Sequence, residues 1–193
     1  MALTPSTMLA LGTPAPNFQL PDVVTGQSVS LETFGDRQVL LIVFGCQHCP
    51  FVKHVQAELA AIGRDYADRS VGIAFVSAND ITTHPADSPT NLKAMATELG
   101  FSFPVCFDET QAVAKAYTAA CTPDFFVFDR DRHLAYRGQL DDSRPSNGLP
   151  VTGRDVREAI DALLAGTAVN PTQQPSIGCN IKWTPGNEPA YAR

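Results

Sequence analysis

Cys46 and Cys49 are the residues of this chain best suited to chemistry, and only Gln47 and His48 separate them. Immediately before the pair runs Val39-Leu-Leu-Ile-Val-Phe44, an unbroken apolar stretch of the kind that forms a strand covered on both faces. After it, Phe51, Val55, Leu59, Ile62 and Tyr66 recur at spacings of three and four, the apolar stripe of a helix lying on a sheet. The pair therefore falls where a buried strand gives way to a helix. A helix N-terminus offers unpaired N–H groups and the positive end of the helix dipole, both of which favour thiolate over thiol. Residues i and i+3 of a first turn face one side, so the two sulfurs can meet. In a Cys-x-x-Cys pair so placed the first thiol has its pKa lowered. Cys46 is thus the expected nucleophile and Cys49 its partner. Pro50 fits the first helical turn, where a missing N–H costs nothing.

His48 sits between the cysteines, and a proton or hydrogen bond from its ring would stabilise the thiolate and make the pair more oxidising. A solvated loop histidine is the simpler alternative. Metal binding is a different reading of the same stretch. Cys46, His48, Cys49 and His54 crowd together, and thiolates with imidazole suit Cu(I) or Zn. Against it, His54 lies on the helix a turn beyond Pro50, where a lone histidine is usually a surface residue. The other cysteines are Cys106, Cys121 and Cys179. Cys106 reads as a core residue. Cys121 directly precedes Thr122-Pro123, so it reads as a third redox or metal-binding thiol, or as a small residue packed at the end of the sheet.

The composition narrows the setting. A chain of 193 residues suits one domain with a core of its own. The net charge of −6 argues against nucleic acid or an anionic membrane as partner, since both require a basic surface. The apolar stretch ending at Gly45 is far short of the roughly 20 residues needed to span a bilayer. Residues 1–12 contain no Lys or Arg and only a short apolar patch, unlike a signal peptide. A cytoplasmic setting is the expectation. Five cysteines, an odd and scattered set, do not read as a disulfide-stapled scaffold. No cofactor is expected.

The elements that must position the cysteines follow from patterning. Residues 17–20 and 28–31 alternate on either side of a turn at Thr25-Gly26, a small hairpin within the lead-in segment 13–38. Residues 71–76 read as a second buried strand, and residues 91–99 as a helix closed by Gly100. A short strand over 103–107 and a short helix over 111–119 come next. Residues 125–128 and 134–137 flank a turn at 129–133, giving two antiparallel strands. A last helix covers 156–164. Beyond residue 167, Pro171, Pro175, Gly178, Pro185 and Gly186 indicate an irregular tail. Ile177, Cys179, Ile181 and Trp183 within it predict that it docks on the body. The expected architecture is α/β with a mixed central sheet: a single domain with its core over 12–166, an N-terminal hairpin extension and a docked tail over 167–193.

With the strand, the cysteine pair and Thr122-Pro123 in place, the chain resembles the thioredoxin-like superfamily. More narrowly it resembles the peroxiredoxin-like (AhpC/TSA-related) thioredoxin-family proteins of bacteria. The residues carrying this are Gly12-Thr-Pro-Ala-Pro-Asn-Phe18, Val39-Leu-Leu-Ile-Val-Phe44 with Cys46-Gln-His-Cys-Pro-Phe51, and Thr122-Pro-Asp-Phe-Phe-Val-Phe-Asp129, joined by Ile177-Gly-Cys-Asn-Ile-Lys-Trp183 in the tail. The resemblance implies a thioredoxin fold and an antioxidant or redox role. It also implies a cis bond at Thr122–Pro123 facing the dithiol, which would turn the Thr122 backbone outward to pair with an extended substrate strand. For Cys179 it hints at a second resolving thiol, if the tail lies across the site.

Two activities share such a fold. Peroxiredoxins place a Pro and a Thr or Ser ahead of the peroxidatic cysteine, as Pro-x-x-x-Thr-x-x-Cys, with an Arg from a later strand. Laid on Cys49, that pattern puts Cys46 at the Thr position, Ile42 at the Pro position and Pro123 at the Arg position, so only the cysteine matches. Without those groups nothing obvious orients a peroxide or stabilises the departing oxygen. A Cys-x-x-Cys facing a cis-proline is instead the apparatus of thiol–disulfide exchange, with a disulfide substrate, protein or small molecule, and a thiol reductant as partners. A thiol peroxidase with Cys49 as the peroxidatic residue is the alternative.

Overall fold

The computed structural model describes residues 3–192. In chain order its elements are β1 (Leu3–Pro5), β2 (Gln19–Pro21), β3 (Ser28–Ser30), β4 (Val39–Phe44), α1 (Pro50–Asp65), β5 (Val71–Ser77) and α2 (Pro89–Leu99). There follow β6 (Val105–Phe107), α3 (Ala112–Ala116), β7 (Cys121–Thr122), β8 (Asp124–Phe128), β9 (Leu134–Gly138), α4 (Arg154–Leu164) and β10 (Ile177–Asn180). The central sheet has five strands in the order β6-β5-β4-β8-β9. Its first three strands are parallel; β8 joins β4 antiparallel, and β9 joins β8 antiparallel. This is the mixed α/β sheet that the patterning predicts.

The apolar run of β4 is central because both its faces are needed. Leu41 and Val43 point into one core with Val55 and Leu59 of α1, Leu92 of α2 and Ile160 of α4. Leu40, Ile42 and Phe44 point the other way, into a core with Phe18, Tyr117, Phe126 and Phe128. The alternation of a strand thus divides one hydrophobic run between two layers. Helix α2 ends as expected at Gly100, whose left-handed φ of 64° lets its N–H return to Ala96 O and Thr97 O. Among the described residues no helix is long and apolar enough to cross a membrane.

Both edges of the central sheet are covered by chain from elsewhere. Val23 N donates to Val105 O (2.8 Å) along β6, and Gln173 Oε1 accepts from Arg137 N (3.0 Å) along β9. Covered edges leave no row of bare donors and acceptors.

The ends of the chain depart from the sequence expectation. The tail, expected to be irregular, contributes β10, which pairs antiparallel with β7 on one side and with β1 on the other. The registers set Cys179 opposite both Thr122 and Leu3. Segments of two to four residues carry no periodicity to read; these strands exist only because folding brings three remote pieces of backbone together.

Candidate active site

Strand β4 ends at Phe44, Gly45 follows, and Cys46 begins the loop that enters α1 with Cys49 as its N-cap. Gly45 has to be small, since a Cβ there would lie 2.3 Å from the ring of Phe75 on the neighbouring strand. Cys49 is held at φ −67°, ψ 124°, and its carbonyl accepts the first helical bond from Lys53 N (3.0 Å). Pro50 occupies the first turn as expected.

Across from the pair, the Thr122–Pro123 peptide is cis. Cys46 Sγ is 3.6 Å from Thr122 Oγ1, and Cys49 Sγ is 3.2 Å from the Thr122 carbonyl oxygen. Both sulfurs are fully buried. The tail supplies the third: Cys179 Sγ lies 2.9 Å from Cys49 Sγ. Cys49 thus touches Cys179 and shares Thr122 with Cys46. Cys121 is buried nearby on β7, with its sulfur 3.6 Å from Pro123 O, and Cys106 is buried in the core. Burial pushes the Cys121 thiol well up and the Cys106 thiol up to about 12, so neither offers a thiolate.

The charge distribution differs from the sequence expectation. Helix-end patterning favours a thiolate on Cys46, whereas the surroundings push the Cys46 thiol up and the Cys49 thiol down. The neighbouring Cys49 raises the pKa of the Cys46 thiol, and burial and the Asp87 carboxylate raise it further. Cys49 is held well below the usual thiol range, first by Cys46 and then by Cys179, Thr122 and the N–H of Val52, against the opposing effect of burial. Asp87 and Cys179 break the symmetry of the pair, and both come from parts of the chain remote from the motif.

Asp87 was not legible as a site residue. It sits in a short Pro85-Ala-Asp87 turn and is completely buried. Its Oδ1 accepts from Gln47 N (2.9 Å) and His48 N (3.0 Å), and its Oδ2 accepts from Asn79 Nδ2 (2.8 Å) and pairs with His48 Nδ1 (2.5 Å). One carboxyl therefore holds the loop between the cysteines. The only sequence signal was an acid among Pro, Ala and Ser, which reads as a solvated turn. His48 is partly exposed and lies over His84, ring centroids 5.1 Å apart. Asn79 Oδ1 accepts from Lys182 N (2.8 Å), linking the same cluster to the tail.

His54 does not join the cysteines; its Nε2 pairs with Ser143 Oγ at 2.7 Å. The metal set that patterning assembled from Cys46, Cys49, His48 and His54 is therefore not brought together. Donor atoms of Cys46, His48 and Asp87 do lie within 4.8 Å of one another, although the Asp87 oxygens already serve four hydrogen bonds. Among the described residues, no contact of Cys46 or Cys49 is with an arginine.

The electrostatics predict a pH dependence. A thiol whose folded pKa is depressed binds fewer protons folded than unfolded, so its stabilisation is complete above the unfolded value and is lost as pH falls through the folded one. The reduced protein should gain stability relative to Cys49→Ser as pH rises from about 5 to about 8. Denaturant titrations of both proteins across that range measure the difference.

A sequence model described as the AhpC/TSA family matches residues 11–137. No curated protein matches the chain. An uncharacterized conserved protein from Geobacillus kaustophilus is similar at 53% identity, with 96% of this chain and 98% of that one covered and a TM-score of 0.94. A hypothetical protein from Sinorhizobium meliloti 1021 is similar at 46% identity over 95% and 100% of the two chains, TM-score 0.93. A putative thiol:disulfide interchange protein DsbE from Chlorobium tepidum shares the fold at 20% identity, covering 81% and 99%, TM-score 0.63. The architecture is a thioredoxin fold.

Proposed function

The chain belongs to the AhpC/TSA family, and from that premise and its buried dithiol we propose that it is a thiol–disulfide oxidoreductase cycling Cys46 and Cys49 between dithiol and disulfide. The observation that carries this is the convergence of the two buried sulfurs on Thr122 at the N-terminus of α1, opposite the cis Thr122–Pro123 peptide. The Cys49 thiolate attacks a substrate disulfide, forming a mixed disulfide and releasing one substrate sulfur, which takes up a proton. Cys46 gives up its proton and attacks Cys49 Sγ, forming the Cys46–Cys49 bond and expelling the second substrate sulfur as a thiol. Two electrons pass from the dithiol to the substrate, and a thiol reductant restores the starting state.

Burial favours a second reading, in which the oxidant is small. A Cys49 thiolate reached by hydrogen peroxide would cleave the O–O bond to give a sulfenic acid and water, and a neighbouring thiol would condense with it to a disulfide and a second water.

The test uses the fully reduced protein, given one equivalent of glutathione disulfide or of hydrogen peroxide, with rates recorded and bonds mapped by mass spectrometry. Rapid formation of Cys46–Cys49 with the disulfide, and slow reaction with peroxide, is the expected result. Faster reaction with peroxide would establish the second reading. Inertness towards both would overturn the two together.

A further inference from the structure

The strand that pairs with the cis-proline loop is part of this chain, and it delivers a sulfur. An extended peptide adds to exposed backbone by strand pairing. Here that place is held by β10, antiparallel to β7 with Cys179 opposite Thr122, and the Thr122 hydroxyl donates to Cys179 O at 3.5 Å. Resting on the dithiol reading above, we propose that β10 is a built-in substrate strand and Cys179 a third redox sulfur, so that Cys49 exchanges between Cys46 and Cys179.

The placement is secured from several sides. Ser176 Oγ donates to Pro123 O (2.6 Å), and Ile181 N donates to Ala120 O (3.2 Å). Gln111, buried on the far side, donates through Nε2 to Lys182 O (2.9 Å) and accepts Thr184 N at Oε1 (2.9 Å). Gly178 is required by the close approach of the two backbones. A Cβ there would fall 2.0 Å from Thr122 O and 2.6 Å from Thr122 C, so no larger residue lets β10 come near enough to set Cys179 against Cys49.

The chemistry is an isomerisation with no net redox change. Starting from the Cys46–Cys49 disulfide, Cys179 loses its proton and its sulfur attacks Cys49 Sγ. The Cys49–Cys179 bond forms, the Cys46–Cys49 bond breaks, and Cys46 leaves as a thiolate that takes up a proton. Cys49 belongs to both bonds, so the two disulfides exclude each other. The second one ties the tail covalently over the site and returns Cys46 as a thiol.

The experiment oxidises full-length wild type, Cys46→Ser and Cys179→Ser with one equivalent of glutathione disulfide. Acid quenching, alkylation and peptide mass mapping follow, with circular dichroism reporting the fold of each variant. Wild type should yield linked peptides for both Cys46–Cys49 and Cys49–Cys179. Cys46→Ser should convert to Cys49–Cys179, and Cys179→Ser should give Cys46–Cys49 alone. A wild type that forms only Cys46–Cys49, with Cys179 always recovered alkylated, overturns the proposal and leaves the oxidoreductase reading standing. Folded Cys46→Ser that stops as a glutathione adduct on Cys49 overturns it equally. Failure of Cys46–Cys49 to form in wild type and in Cys179→Ser counts against the oxidoreductase reading instead.

Discussion

Replacing Cys49 with serine should stop disulfide exchange almost completely, slowing reaction with a small disulfide by at least about three orders of magnitude. Cys49 is the sulfur that touches Cys179 and shares Thr122 with Cys46, and it is the one whose surroundings favour the charged form. Its removal would relieve Cys46 of the hydrogen bond that contributes most to its raised pKa, yet burial and the Asp87 carboxylate would still hold that thiol up. Cys179, raised first by burial, would be no better a nucleophile. Serine at Cys46 or at Cys179 should leave one disulfide still able to form. Measured rates for the three variants rank the sulfurs directly, and a Cys49→Ser protein keeping a tenth of the wild-type rate would refute the central role of Cys49.

The second large effect is expected at a residue with no side chain. Gly178→Ala puts a methyl group into the Thr122–Pro123 backbone, where no flexible side chain can move aside. The strand β10 has to back away, at a cost of about 1–3 kcal/mol. Because β10 covers the thiols, the same change lowers the free energy of local opening. A loss of about 2 kcal/mol corresponds to roughly thirtyfold faster alkylation of Cys49 under native conditions. Denaturant midpoints and alkylation rates measure the two effects on one preparation. A drop in stability with no gain in alkylation would mean that something other than the tail controls access.

What could be read from the sequence, and what could not, divides by sequence distance. The β4 run and the α1 stripe are long enough for their periodicity to speak, and they place Cys46 and Cys49 where the structure has them. Thr122-Pro123 is marked by proline and by the apolar strand after it. Asp87 carries no such mark, because nothing local shows that a turn will fold inward and meet the backbone amides of Gln47 and His48. The same holds for β1, β7 and β10, whose pairing is entirely long-range. The opposite shifts of the two thiols have the same remote origin. Helix-end arguments see only α1, whereas the balance between Cys46 and Cys49 is set by Asp87 and Cys179 as well.

The small sheet β1-β10-β7 joins Leu3 to Cys179, two residues far apart in the chain. Contacts so far apart in sequence close late, because the chain entropy of the loop is lost before the pairing returns anything. The strand that covers the thiols follows every strand of the central sheet in chain order. Whenever that late pairing opens, the central sheet keeps its own five strands while the sulfurs beneath the tail meet the surrounding solution.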